Sequence, residues 1–462
     1  MTLQSPPQQK SAQHHTRSGT WLYPLARRIH FYAGILIAPF ILVAALSGAL
    51  YALAPQLEKV VYSQQLTAPI SDHRISLDAQ VKAAQSYLGK DTQPLEVRPG
   101  LAPGTTTRVM FADETLGESE SRAVFIDPAN GQVRGDLTVY GSSGSLPLRT
   151  WISQLHKNLH LGEVGRIYSE LAASWLWLIA AFGLCMVIIK ARRTKKLKGL
   201  AYPSNTARGY RTTLSWHTSA GVWLAVGLFF FSATGLTWSN YAGGNISDMR
   251  KAFGWQTPSV TKTLEAAPAS SDAHADHGEH SSHGHSQQDR ASAVSYDAVL
   301  ALAQEVNVDS QQVIIKPAAD EGATWIVQEN QRSYPTMVDS VAVDAANQQV
   351  VDRADFKDFP VAAKLTRWGI DLHMGTLFGL VNQLILFFFG LGVSALCIWG
   401  YFMWWQRRPV GSALGKAQPR VAFRAVPLWA WVTLGLGSLL LGLALPVFGV
   451  SLLLMLGLDA TI

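Results

Sequence analysis

Four histidines beside long apolar segments are the residues of this sequence best suited to hold a redox cofactor. His30 and His217 each lie a few positions after a basic residue. His156 and His373 each precede a basic residue by 34 positions. At about 1.5 Å of helix rise per residue, the first two lie near one membrane face and the other two near the opposite face. Ionisable side chains at such places are costly unless they have a partner or a function.

Imidazoles that are paired by depth and come from different helices are suited to haem, whose iron takes one axial ligand on each side. Nearby glycines would let a flat macrocycle approach the backbone; they are Gly34, Gly221, Gly375 and Gly379. The pattern predicts two haems with paired histidine ligands, and both are expected to be b-type because the chain has no CxxCH motif. A structural, hydrogen-bonded role is the common alternative for any one such histidine. Binding of zinc or copper is a second alternative, although no Cys, Asp or Glu stands at a distance along the chain from these histidines that is typical of metal ligands.

Several further residues are candidates for the same chemistry. His160 follows His156 by one helical turn and is an alternative ligand or a supporting group. Haem propionates need cationic partners, and the arginines placed to provide them, or to act only as surface charges, are Arg28, Arg211, Arg149 and Arg367. Clustered imidazoles can also bind Zn²⁺, Ni²⁺ or Cu²⁺ weakly; a polar spacer contains such a cluster, His274, His277, His280, His283 and His285.

The composition excludes a soluble cytosolic protein. Hydrophobic residues make up 48% of the 462 residues and charged residues 15%, against roughly 25% charged in soluble domains. The apolar segments are long enough to cross a hydrocarbon core of about 30 Å. They occupy about 29–54, 171–189, 214–246, 374–406 and 425–458.

The charge pattern predicts the orientation in the membrane. Residues 1–28, 190–211 and 407–424 contain basic residues and no acidic ones, although the chain has 32 acids. By the positive-inside rule these three segments are cytoplasmic, so the regions 55–165 and 240–370 lie outside. The net charge of +6 is therefore an orientation signal, and no nucleic-acid partner is expected.

An internal repeat relates the two halves of the chain. Matches at offsets of 187 and 217 positions link His30 to His217, Ser47-Gly48 to Thr234-Gly235, His156 to His373, and 125–131 to 342–348. The second half is longer by about 30 residues, and the polar, histidine-rich spacer accounts for the surplus. Each exported region has helical and β-rich segments and no recognisable catalytic motif. The final apolar segment is either one span broken at Pro446, which we favour, or a hairpin of two short arms.

The predicted fold is therefore a membrane α-helical bundle of four core transmembrane helices plus a C-terminal span or hairpin, with two small α+β periplasmic domains and an internal repeat. The predicted organisation is a cytoplasmic tail (1–28), transmembrane helix 1 (29–54), exported domain 1 (55–148), an interfacial helix with transmembrane helix 2 (149–190), a basic loop (191–212), transmembrane helix 3 (213–240), exported domain 2 (241–362, with the insertion 270–288), transmembrane helix 4 (363–406), a cytoplasmic loop (407–424) and a C-terminal membrane segment (425–458).

Four histidine-containing motifs resemble the PepSY-associated transmembrane proteins. They are RRIHFYAGILIAPF (27–40), LHKNLHLGEVGR (155–166), WHTSAGVW (216–223) and LHMGTLFG (372–379), and the ending WGYFMWWQRRP (399–409) agrees with them. The exported DPANGQV and DAANQQV segments resemble PepSY domains. The likeness covers most of residues 25–410, and the histidine-rich insertion departs from the family's usual pattern.

This resemblance implies a bacterial inner-membrane oxidoreductase that reduces ferric siderophores or other ferric chelates in the periplasm. Two haem b groups would be its cofactors, and a cytoplasmic donor or a membrane quinol would supply electrons. Two other functions stay open. PepSY domains also occur as inhibitory modules of peptidases, so the chain could be a membrane-anchored regulator of a periplasmic protease. It could also be a metal-handling membrane protein, although the spans have few polar residues near the middle of the membrane.

Overall fold

The computed structural model describes residues 21–89, 91–195, 201–204, 207–264, 295–407 and 426–461. The helices are α1 (Leu22–Val61), α2 (Ser63–Leu66), α3 (Leu77–Leu88), α4 (Pro147–Asn158), α5 (Gly162–Thr194), α6 (Tyr210–Thr237), α7 (Tyr241–Ala252), α8 (Tyr296–Glu305), α9 (Val361–His373), α10 (Gly379–Arg407), α11 (Leu428–Ala444) and α12 (Pro446–Thr461). The strands are β1 (Glu96–Arg98), β2 (Thr107–Phe111), β3 (Glu120–Ile126), β4 (Val133–Tyr140), β5 (Val313–Lys316), β6 (Trp325–Glu329), β7 (Ser340–Asp344) and β8 (Gln349–Ala354). A short 3₁₀ helix covers Phe356–Asp358.

Four helices in the described residues are long and apolar enough to cross a membrane: α1, α5, α6 and α10. The prediction of four core transmembrane helices agrees with them. Helix α1 has 40 residues and extends beyond the predicted 29–54 at both ends. Hydropathy marks only the part that lies in hydrocarbon, whereas the helix continues through polar residues such as Glu58 and Lys59.

The predicted fourth transmembrane helix is divided into α9 and α10. The chain between them contains Gly375 with φ 76°, and α10 begins at Gly379 with φ 57°. Glycine adopts these left-handed conformations without the steric cost that other residues incur. The break separates the short helix that carries His373 from the long spanning helix, as a turn at Leu159 and His160 separates α4 from α5.

The C-terminal segment forms a hairpin of two short arms, so the single broken span that the sequence favoured is wrong. Helix α11 ends at Ala444 and α12 begins at Pro446, where the proline has no N–H to continue the preceding helix. A Cβ atom added to Gly449 would lie 2.8 Å from the Cα atom of Gly442, so the arms are in close contact. The rings of Trp429 and Trp21 lie 6.3 Å apart.

Both ends of this hairpin lie beside the start of α1. Trp429 follows the first residue of α11, and Asp459, near the end of α12, forms an ion pair with Arg28 of α1. The arms have 17 and 16 residues, which corresponds to about 25 Å of helix each. The hairpin therefore returns to the side from which it starts.

The described residues form two compact units. The first unit consists of those within 1–42, 170–233 and 392–462, and is helical. The second unit consists of those within 43–169 and 234–391, and contains all eight strands.

In the second unit, four strands from each predicted exported domain form one antiparallel sheet. Its order is β4-β3-β2-β1-β5-β6-β7-β8. The two halves meet where Val97 of β1 pairs with Ile315 of β5. Each of these strands would otherwise be an open edge with unpaired backbone groups. One hydrophobic core includes residues of both halves, with Val109 and Val327 fully buried in it.

Helices α3 and α8 cap each other's N-termini. Asp297 accepts hydrogen bonds from the backbone N–H groups of Leu77 (3.0 Å) and Asp78 (3.2 Å). Asp78 in turn accepts one from the N–H of Tyr296 (2.8 Å) and one from the Ser295 hydroxyl. A helix N-terminus has free N–H groups that a carboxylate can satisfy. The two halves of the sheet are thus joined by reciprocal caps as well as by strand pairing.

Candidate cofactor site

In the first unit, His30 of α1 and His217 of α6 face each other. Their ring centres are 6.2 Å apart and their planes are inclined by 80°. An imidazole nitrogen lies about 2 Å from a bound metal and about 1 Å from its ring centre, so imidazoles on opposite sides of one iron have centres about 6 Å apart. The spacing of these two rings fits one iron between them.

Backbone carbonyl groups fix which nitrogen of each ring is protonated. The Nδ1–H of His30 donates to the carbonyl oxygen of Ile179 at 2.9 Å, and that of His217 donates to the carbonyl oxygen of Leu396 at 3.2 Å. A carbonyl oxygen only accepts hydrogen bonds, so Nδ1 must carry the proton and Nε2 keeps its lone pair. This is the usual state of a metal-binding histidine, whose second nitrogen is oriented by such a partner.

Glycines leave room beside both rings. Gly34 and Gly221 follow His30 and His217 by one helical turn, which places them on the same helix faces. A Cβ atom added at either glycine would meet nothing within 4 Å. A Cβ atom at Gly183, by contrast, would lie 3.1 Å from Cε1 of His30. The residues around this pair therefore fit a flat cofactor such as haem.

In the second unit, His156 of α4 and His373 of α9 are held by hydroxyl groups. The Ser47 hydroxyl donates to the carbonyl oxygen of Val43, and its oxygen lies 3.1 Å from Nδ1 of His156. The Thr234 hydroxyl oxygen lies 2.6 Å from Nδ1 of His373. Nδ1 is therefore hydrogen-bonded in both rings, and Nε2 is the nitrogen that remains available to a metal.

Burial keeps this second pair uncharged. Desolvation lowers the pKa of His156 to about 4 and that of His373 to about 3. His156 is close enough to His373 for its charge to lower the pKa of His373 further. Neutral imidazoles have the free lone pair that a metal needs.

The ring of His156 is also confined by its surroundings. A Cβ atom added to Gly48 would lie 3.1 Å from Cε1 of His156, and the Tyr168 hydroxyl donates to the His156 carbonyl oxygen at 3.0 Å. The Trp238 ring lies 5.4 Å from that of His373. These contacts restrict the positions of both rings.

The sequence identified Ser47-Gly48 and Thr234-Gly235 only as repeated pairs. Their hydroxyl groups hold the two histidines, a role that the sequence analysis missed although the repeat was the signal for it.

His160 has a different environment from the four paired histidines. It is exposed, its φ is 57°, and its ring lies 5.1 Å from that of Trp151. His156 is therefore the more buried and the more closely held of the two. The spacer histidines 274–285 lie outside the described residues. Within the described ranges, no group of three or more His, Cys, Asp or Glu side chains is placed to hold a metal ion.

Two of the predicted propionate partners belong to the first unit. Arg28 pairs with Asp459, and its guanidinium group lies 5.3 Å from the centre of the Tyr32 ring. Arg211 is exposed at the start of α6.

The other two predicted partners belong to the second unit. Arg149 and Arg367 lie on the helices of His156 and His373, about two turns before each histidine. Arg149 donates to the Tyr51 hydroxyl at 3.2 Å. Arg367 donates through Nε to Asp371 at 2.7 Å. Both arginines are partly buried on the histidine-bearing helices and are therefore the better placed of the four.

Comparison with protein families assigns most of the chain. The family described as PepSY-associated TM region matches residues 27–407. The chain belongs to this family. Family membership agrees with the resemblance that the four histidine motifs carry, and with the four apolar helices it identifies the chain as a membrane protein. Among curated proteins, none matches the chain.

Proposed function

We propose that this member of the PepSY-associated TM family is a di-haem b reductase of the bacterial inner membrane. It would pass electrons from a cytoplasmic donor or a membrane quinol to a ferric chelate, such as a ferrisiderophore, in the periplasm. The observation that carries the proposal is that each of four histidines has Nδ1 held by a hydrogen-bonding partner. His30, His217 and His156 thus carry the proton on Nδ1 and would offer the Nε2 lone pair to a metal, and Thr234 would orient His373 in the same way.

When bound, the two haems would supply one-electron oxidation and reduction. The protein's part is to hold and orient the ligands. Ile179 and Leu396 fix one pair of rings through carbonyl groups, and Ser47 and Thr234 fix the other through hydroxyl groups. Gly34 and Gly221 leave room beside the first pair, and all four rings are partly buried. These contacts keep the imidazoles in a single orientation, as a cofactor site requires.

Reduction of the chelated metal accounts for iron release. Fe³⁺ is a hard cation that oxygen ligands hold tightly, and Fe²⁺ is softer and is held less tightly by the same ligands. One electron per iron is sufficient, and the chelate itself is not broken. The chain alone has no recognisable nucleotide-binding motif, which is why the electron donor is placed in a separate protein or in the quinol pool.

The proposal is tested by reducing the purified protein anaerobically and mixing it with a ferric chelate and a colorimetric Fe²⁺ trap. We expect one Fe²⁺ per electron stored in the protein. A protein without haem absorbance would contradict the proposal and would favour the regulator of a periplasmic protease. If the protein contains haem but stays reduced in the presence of ferric chelates, ferric chelates are not its substrate.

A further inference from the structure

We propose that Arg332 forms, with Arg149 and Arg367, a binding site for carboxylate groups beside His373. The inference deepens the proposed function, because that function supplies two sources of carboxylates. One is the propionate groups of a haem held by His156 and His373, and the other is a ferric chelate with carboxylate ligands. All three arginines belong to the second unit.

Arg332 is brought to this place by the connection between β6 and β7. The backbone N–H of Tyr334 donates to the carbonyl oxygen of Leu377 at 2.8 Å. The indole N–H of Trp368 donates to the Thr336 hydroxyl at 3.1 Å. These bonds fasten the connection to α9 and to the turn that follows it. Within the fastened segment, Nη1 of Arg332 lies 4.0 Å from Sδ of Met374, the residue after His373.

The equivalent connection of the other half has no such side chain. Residues 112–119, between β2 and β3, contain no arginine and no lysine. The arginine is therefore a feature of one half only and is not required to form a hairpin of this sheet. A role in binding explains why Arg332 occurs in the half of the sheet whose β6–β7 connection contacts α9.

The three guanidinium groups are only partly paired, because Arg367 donates to Asp371 through Nε alone and Arg149 donates to the Tyr51 hydroxyl. Among the described residues, no carboxylate lies within ion-pair distance of Arg332, and its Nε atom is 3.4 Å from Oδ1 of Asn330. The Nη2 atom of Arg367 is buried without a hydrogen-bond partner in the described part of the chain. The carboxylate oxygen paired with Arg149, from Glu58, is 4.0 Å away. Buried charged donors without acceptors are costly, so the site favours an added anion.

The charges of the described residues around Arg332 also indicate that its guanidinium group lacks a nearby anionic partner. Burial is the main cause that lowers the pKa of Arg332. The positive charges of Arg367, Arg149 and Arg98 lower this pKa further, and the carboxylate of Asp371 opposes them. An anion bound among these groups would relieve their mutual repulsion.

Carboxylates suit the site in shape as well as in charge. The planar guanidinium fork matches a carboxylate and can donate two parallel hydrogen bonds to it. Three such groups can bind a ligand that has two or three carboxylates. The Arg149 and Arg367 side chains keep 16% and 26% of their exposure, so neither guanidinium group is sealed inside the protein.

The test measures binding and haem retention in the full-length, haem-loaded protein. Gallium(III) citrate is the probe, because it has the charge and ligands of a ferric tricarboxylate chelate and cannot be reduced. Its affinity is measured by titration calorimetry at two salt concentrations, and haem retention by the rate of transfer to apomyoglobin. The variants are Arg332→Gln, Arg332→Lys as the charge-retaining form, and Arg353→Gln as the control. Arg353 is paired with Asp355 on β8, so the control makes the same chemical change away from the site.

If the site binds the chelate, Arg332→Gln weakens gallium citrate binding by about 10-fold or more, as for loss of a hydrogen bond to a charged group. Arg332→Lys weakens it less, higher salt weakens it in the wild type, and Arg353→Gln leaves it unchanged. If the site binds propionates, Arg332→Gln speeds haem loss and gallium citrate does not bind the wild type. Either result supports a carboxylate site and identifies its source.

Unchanged gallium citrate affinity together with unchanged haem retention in Arg332→Gln would overturn the inference. A wild-type protein that lacks haem but binds gallium citrate through Arg332 would contradict the proposed reductase and leave this site standing. The two failures are therefore distinguishable.

Discussion

The hydrogen-bonding partner of Nδ1 is the decisive feature at the scale of single residues. Thr234 holds His373 through its hydroxyl group, and Thr234→Val removes that group while it keeps the shape of the side chain. We expect haem binding at this site to weaken by about 10- to 100-fold, as for loss of a partner that orients a metal ligand. Titration of haem into the haem-depleted protein measures the effect.

The control for Thr234→Val lies one turn later on the same helix. The Thr237 hydroxyl donates to the carbonyl oxygen of Thr234 and makes no contact with His373 among the hydrogen bonds of the described residues. Thr237→Val should therefore bind haem as the wild type does. Equal affinities in the two variants would mean that the hydroxyl of Thr234 does not support the ligand.

At the scale of elements, the reciprocal caps between α3 and α8 are expected to stabilise the eight-stranded sheet. Asp78→Ala removes the acceptor for the first turn of α8, and Asp297→Ala removes that for α3. Each change should lower the free energy of unfolding by about 1–2 kcal/mol, the usual cost of a lost helix cap. Thermal unfolding in detergent, followed by tryptophan fluorescence, measures it.

Asp72 provides the matched control for these caps. It is an exposed residue of the loop before α3, and its replacement by alanine should change the free energy of unfolding by less than about 0.5 kcal/mol. If all three alanine variants unfold at the same temperature, the caps do not join the two halves.

Element boundaries show what the sequence could and could not predict. The apolar segments predicted the four spanning helices, because hydropathy over about 20 residues is a strong local signal. The shared sheet was not predicted, because Val97 and Ile315 pair across 218 positions and nothing local marks the pairing. The carbonyl groups of Ile179 and Leu396 could not be found either, since every residue has one. The four histidines could be predicted because the repeat places them at matching positions. The repeat also relates Ser47-Gly48 to Thr234-Gly235.

For the whole molecule, we expect both halves of the sheet to lie outside the cytoplasm. Alkaline phosphatase, which is active only outside, should be active when it is inserted near Gly100 or Gln331. A fluorescent reporter that matures only in the cytoplasm should be dark at both positions. The physical reason is the charge pattern, with acid-free basic segments on the cytoplasmic side. Fluorescence at either position would overturn the orientation.

The histidine-rich spacer should be dispensable for the cofactor. Residues 270–288 belong to the polar spacer that lengthens the second half, and the four paired histidines have their partners elsewhere in the chain. Deletion of 270–288 should leave the haem content per chain unchanged, as measured by the pyridine haemochrome assay. A loss of haem on deletion would show that the ligands include spacer histidines.

The number of haems per chain is the sharpest test of the proposed di-haem protein. The wild-type protein should contain two b-type haems with low-spin spectra, because two imidazoles would hold each iron. His217→Ala should remove one haem and His373→Ala the other, and the haem that remains in each variant should still be low-spin. A wild-type protein without haem, or a variant of either histidine that keeps two low-spin haems, would contradict the account.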